Sequence, residues 1–261
     1  MKYILVLVLF IHSLFAYSDA DMDGVNDTID RCLNTPIMNL VDKNGCSTKS
    51  LISPHHFDII IGSSYSTYNS SNTYTTSLQL DYFYKEFSLS LSSSYFTNAS
   101  SSTNNDNNGM SDSYFGISYR VQPITNFSLS SSIGTLISTY NSTTNKDDYT
   151  ASLNAIYYID KFRFLTSYKY TFIGDTSTST SFQNTNAYNI GVGYYFTHKL
   201  YISSSYKKSK SVYTNNVDIE SISLYSSYSF NTHWFSTLSY SYGLSASAND
   251  NYLSLRGGYY F

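Results

Sequence analysis

From His55 onward, apolar and polar residues alternate along the chain with a period of two. In the run at 162–173, Phe162, Phe164, Thr166, Tyr168, Tyr170 and Phe172 share one face, while Arg163 and Lys169 fall on the other. Successive side chains of a strand point to opposite faces, so such a run predicts a strand with one apolar and one polar side. Five short connections join aromatic-rich strand ends: Lys85-Glu86, Gln122 to Asn126, Ile159 to Lys161, Thr197 to Lys199 and Asn231 to His233. They recur about every 36 residues, the length of a strand pair plus one longer loop. Between them lie segments rich in Ser, Asn, Thr and Asp at 68–72, 98–111, 141–147, 174–184, 211–217 and 245–250. The pattern predicts twelve strands, at 55–67, 73–84, 87–97, 112–121, 127–139, 148–158, 162–173, 185–196, 200–210, 218–230, 234–244 and 250–261.

An even number of strands of about ten residues, with short turns alternating with longer loops, predicts an all-β, antiparallel, up-and-down transmembrane barrel over residues 51–261. Aromatic residues at the short turns would form one girdle of that barrel. The phase of the charges supports this fold. Asp58, Asp81, Arg120, Arg163, Lys169, Lys207 and Arg256 all fall on the face opposite the apolar residues of their strands, toward a lumen. A charge on the lipid face at mid-membrane costs about 2–4 kcal/mol, so random placement would not keep them there. Lys208 can snorkel at the rim. The strand at 218–230 stays ambiguous, because Glu220 shares a face with Ile222 and Leu224.

The last stretch, Asn251 to Phe261, carries a further signal. Leu253, Leu255, Gly257, Tyr259 and Phe261 share one face, and the run stops on an aromatic residue. It resembles the closing strand of bacterial outer-membrane β-barrels, whose final aromatic and the aromatic two places before it are read by the barrel-assembly machinery. The resemblance implies that Tyr259 and Phe261 carry that assembly signal. Arg256 stands where those strands often have glycine.

The N-terminus differs in kind. Residues 1–16, with Lys2, an apolar run from Ile4 to Ile11 and a small residue at Ala16, read as a secretory signal peptide. Residues 17–50 form a separate module. Asp19, Asp21 and Asp23 take positions 1, 3 and 5 of a calcium loop, with Gly24 at the sharp turn. Val25 offers its carbonyl, and Asp27 and Asp30 complete the set. Calcium wants six to eight oxygens, and carboxylates this dense repel one another without a cation; the alternative is an acidic, solvated linker. The aspartates, Cys32, Thr35-Pro36 and Cys46 after Asp42 to Gly45 resemble a thrombospondin type-3 repeat, which implies calcium as the bound ion. Cys32 and Cys46 close a short loop in an exported chain, for which a disulfide is the default.

Composition narrows the function. The 261 residues include 13 % charged residues, 29 tyrosines and 16 phenylalanines. Soluble domains carry about a quarter charged residues, and disordered chains lack the aromatics. A net charge of −3 gives no reason to expect nucleic acid as a partner. The partners expected are outer-membrane lipid, the assembly machinery and, if the lumen is open, small solutes, with the calcium module in the periplasm. Five lumen cations against two aspartates would favour anions slightly; the alternative is that these groups pair with each other and fill a narrow barrel. A structural or adhesive surface barrel is the other reading. A lipid hydrolase is disfavoured, because His198 and His233 lie in short turns and no Gly-x-Ser-x-Gly stretch occurs.

Overall fold

A computed structural model describes residues 21, 25–32, 35, 39–50, 55–69, 71–100, 107–140, 142, 144–177 and 181–261. The chain divides into two compact units, Met1–Pro54 and His55–Phe261. The expected signal peptide lies outside the described residues.

In the first unit, β1 (Asn39–Val41) pairs antiparallel with β2 (Ser47–Ser50). The turn between them is built by Asp42, whose Oδ1 accepts hydrogen bonds from the Asn44 and Cys46 amides at 2.8 and 3.1 Å. Those donors hold the Asp42 carboxyl below its ordinary pKa. Gly45 supplies the positive φ of 74° that the turn requires. Cys32 and Cys46 form a disulfide with a Cα–Cα distance of 5.1 Å.

The second unit is a closed antiparallel barrel. Its strands are β3 (His55–Tyr68), β4 (Ser71–Tyr84), β5 (Phe87–Ser100), the short β6 (Asn107–Met110), β7 (Ser113–Ile124), β8 (Phe127–Ile137), β9 (Asp148–Ile159) and β10 (Phe162–Phe172). They continue with β11 (Thr185–Tyr195), β12 (Leu200–Ser209), β13 (Ile219–Ser229), β14 (Trp234–Gly243) and β15 (Asn251–Tyr260). Among the described residues each staves the next in chain order, and β15 returns to β3 from Asn251↔Thr67 to Tyr260↔Asp58. β6 and β7 together make one stave, since both pair with β5 and the Ser111 amide donates to the Ser94 carbonyl at 2.8 Å between them. The wall is therefore twelve staves around.

Among the described residues closure leaves no edge except on the short β6, which pairs with β5 alone, so the backbone polar groups of the other staves bond within the wall, as hydrocarbon surroundings demand. Two connections are two-residue loops whose first residues, Lys85 and Asp160, take positive φ of 51° and 50°, the conformation tight hairpins need. The expected loop at 68–72 is likewise a tight turn, because β3 runs to Tyr68 and β4 starts at Ser71. β5 and β6 also extend into the segment read as loop at 98–111. Where a strand rises beyond the apolar band both faces are wet, so alternation disappears although pairing continues.

Side chains follow the expected parity. Phe57, Ile61, Leu78, Phe115, Ile133, Leu153, Ile190, Leu224 and Leu255 all stand on the outer face, exposed. Glu220 also lies on that face and pairs across the ladder with Lys208, at 2.7 Å, with Asp218 at 3.5 Å. The ambiguity of that strand is thus resolved by a rim ion pair at its loop end. There is no packed core: Phe235 and Ala248 are the buried apolar side chains among the described residues, and no large side chain is fully enclosed.

Candidate functional site

Inward positions are dominated by short hydroxyl side chains. Serines 88, 90, 92 and 94 of β5, Ser118 of β7 and serines 128, 130 and 132 of β8 share inward parity on neighbouring staves. Such serines bond laterally, Ser88 to Ser118 at 3.1 Å and, on β13 and β14, Ser223 to Ser241 at 3.0 Å. Such side chains satisfy their polar groups against the wall and leave space along the axis. One resulting cavity, of about 270 Å³, is lined by Ser64, Ser77, Gln79, Ser92, Ser254 and Arg256. Another, of about 390 Å³, has Arg120 among Ser118, Ser130, Ser132, Asn154 and Ser167.

All seven charges singled out from the sequence share inward parity, but they do not gather. Arg256 donates from Nη2 to Gln79 Oε1, and Gln79 Nε2 donates to Asp81 Oδ2 at 2.7 Å. Gln79 therefore links Arg256 to Asp81 without direct contact between the charges. Ser90 donates to the other Asp81 oxygen. Arg163 sits among three tyrosine rings, with its guanidinium carbon 5.0, 4.4 and 5.5 Å from the centroids of Tyr158, Tyr195 and Tyr201. Cation–π attraction of this kind orients a guanidinium without neutralising it. Lys169 and Lys207 flank β11, opposite Ala187 and Asn189. Among the described residues none of the five inward cations forms an ion pair; both ion pairs involve Lys208 on the outer face.

Asp58 and Asp81 are direct cross-strand partners, and each is only 7 % exposed. Asp58 Oδ1 takes no hydrogen bond. Like charges directly opposite destabilise a sheet, and an unsatisfied buried acceptor adds to the cost. Asp58→Asn should therefore raise the thermal unfolding midpoint of the detergent-solubilised barrel, by the equivalent of about 1 kcal/mol. A lowered midpoint would mean that the paired carboxylates support the wall.

Several inward residues escaped the sequence reading. Asp148 opens β9 with the parity of Thr150 and Asn154, and Asp112 lies in the break between β6 and β7. Parity counted to the strand ends would have found the first; the second depends on a bulge. The aromatic girdle at the short turns is also divided between two faces. Tyr259 packs on Trp234 and Phe261 on the outside. Phe83 against His56 and Phe235 against Tyr260 face inward, and Phe235 lies over Gly258, where a Cβ would have no room.

Of the six expected calcium ligands, Asp19 and Asp23 lie outside the described residues, and the other four lie in the first unit. Asp21 Oδ2 accepts from the Thr35 amide at 2.6 Å, and Asp30 Oδ1 accepts from the Cys32 amide at 2.8 Å. The other oxygen of each, Asp21 Oδ1 and Asp30 Oδ2, is buried and takes no hydrogen bond. Each carboxylate is thus aimed by one oxygen and left unsatisfied at the other, as a cation ligand would be. Among the described residues no three acidic, histidine or cysteine side chains converge on one point.

The sequence matches no protein-family model and no curated protein. The fold does have solved counterparts. The chain is similar to an outer membrane channel from Pseudomonas putida F1, with a TM-score of 0.64 at 10% identity, covering 79% of this chain and 95% of that one. It is similar to the NanC porin, with a TM-score of 0.54 at 13% identity over 78% of this chain and 98% of that one. The KdgM porin gives 0.53 at 14% identity over the same shares, 78% and 98%. At these identities the likeness is one of fold: the second unit has the architecture of outer-membrane channel barrels.

Proposed function

We propose that the protein is an outer-membrane barrel that passes small solutes passively, with a preference for anions. The observation that carries this reading is the interior: hydroxyl-lined, without a packed core, and bearing five basic side chains with no ion-pair partner among the described residues. A barrel filled for structural reasons would pair those charges with its aspartates, because an unpaired charge in a dry interior is expensive. Water in the lumen removes that demand. The fold likeness to outer-membrane channels supports the same reading.

In this arrangement the short turns face the periplasm and the longer loops face outside. Tyr259 and Phe261 would serve as the assembly signal. The first unit would sit in the periplasm as a calcium-stabilised module, with the two orphaned oxygens of Asp21 and Asp30 directed at the ion. When bound, calcium would supply the positive charge that the aspartates lack among themselves.

Single-channel recording of the refolded chain in a planar bilayer tests the channel reading. Discrete steps, with a reversal potential on the anion side in a chloride gradient, are expected. Silence from protein that has demonstrably folded would overturn it and favour a structural or adhesive barrel.

A further inference from the structure

The loop end of the barrel carries a third cavity, of about 410 Å³, that conduction does not require. We infer that it binds small organic cations of the alkylammonium class. Its walls combine four aromatic rings, Phe96, Tyr140, Phe182 and Tyr213, with two carboxylates, Asp112 and Asp175. The rings form two pairs, Phe96–Tyr140 with centroids 5.9 Å apart and Phe182–Tyr213 at 5.6 Å.

Phe96 stands on β5, and the other groups are held by hydrogen bonds among the described residues. Asp112 Oδ1 accepts from the Tyr140 amide at 3.1 Å and from Asn145 Nδ2 at 2.7 Å. Asp175 Oδ1 accepts from the Lys146 amide at 2.9 Å. Phe182 and Tyr213 are joined by an antiparallel bridge, flanked by the Gln183 amide to the Val212 carbonyl at 2.9 Å and the Thr214 amide to the Ser181 carbonyl at 3.2 Å. The rings are therefore positioned before any ligand arrives, which lowers the ordering cost of binding.

Sign selects the ligand. Among the described residues no lysine or arginine lines the cavity, and Oδ2 of both aspartates takes no hydrogen bond. Aromatic faces present the negative part of their quadrupole, so rings and carboxylates attract the same charge. An anion would meet both as repulsion. A hydrated metal ion would gain little from the rings, whereas a methylated ammonium is weakly hydrated and matches them. The volume lies in the range of small-molecule pockets. Asp112 also lines the lumen cavity that contains Arg256.

The test uses the refolded full chain in detergent micelles, titrated with tetramethylammonium chloride by calorimetry or saturation-transfer NMR. Sodium chloride at equal ionic strength and glucose serve as controls. Saturable tetramethylammonium binding is expected, with neither control competing. Asp112→Asn together with Asp175→Asn keeps the Oδ1 acceptors but removes the charges, and should weaken binding at least tenfold. Tyr213→Leu spares the backbone bridge and should do the same. No binding by folded wild-type protein would overturn the assignment, as would binding that survives both variants, or glucose binding as well as the cation. Because binding is read without current, its failure is separate from failure of the channel reading, which bilayer recording of the same preparation decides.

Discussion

Replacing Lys169 and Lys207 together with glutamine should lower the anion-over-cation permeability ratio of the channel about fivefold. A unit charge about 8 Å from a passing ion contributes about 0.5 kcal/mol in water, which screening at about 0.1 M salt cuts to about 0.25 kcal/mol. Each lysine favours the anion and disfavours the cation by that amount, so removing two lysines takes away four such contributions, about 1 kcal/mol, and gives that factor. These lysines suit the test because they flank one strand, β11, and neither makes an ion pair among the described residues. Arg163 is a poorer target, since its tyrosine surroundings would collapse or gape when it is removed. The effect should shrink above roughly 1 M salt, where the Debye length falls to about 3 Å. Reversal potentials in potassium chloride gradients at low and high ionic strength make the measurement. An unchanged ratio at low salt would place both lysines away from the ion path.

Reducing the Cys32–Cys46 disulfide, or changing Cys32 to serine, should make the first unit protease-sensitive while the barrel keeps its folded gel mobility. A closed loop of about 15 residues gains about 3 kcal/mol from such a link. The described strands of this unit have three and four residues, and small modules of this kind have little core to compensate for its loss. Chelation should act in the same direction on the oxidised protein. Without a cation, Asp21 Oδ1 and Asp30 Oδ2 remain buried and unsatisfied, at a cost of about 1–3 kcal/mol each. Limited proteolysis mapped by mass, with calcium or with chelator, separates the two effects. Identical cleavage in both would remove calcium from the picture and leave the disulfide standing.

The barrel was legible because lipid on one side and water on the other impose parity on every residue between them. Arg163 and Lys169 could be assigned to the lumen from their neighbours alone, and so could Asp58 and Asp81. Legibility stopped where that asymmetry stopped. Asn98 and Ser100 read as loop yet lie in β5, since above the lipid both faces meet water. Glu220 could not be assigned from its own strand, because its partner Lys208 belongs to a neighbouring strand twelve residues earlier. The loop-end cavity was invisible for a related reason: Phe96, Asp112, Tyr140 and Tyr213 come from four separate segments, and only the ladder registers bring them together. Gln79 gave no sign of its link to Arg256 for the same cause.

The absence of a packed interior also bears on how such a chain can change over time. In a globular protein an inward substitution disturbs neighbours that hold the fold. Here the fold rests on backbone ladders and on an outer band that need only remain apolar, so a serine facing the lumen can become a lysine, an aspartate or a tyrosine with little penalty. Solute preference can then drift without passing through unfolded ancestors. Shared architecture at 10% to 14% identity, with no recognisable sequence kinship, is what that freedom would leave behind.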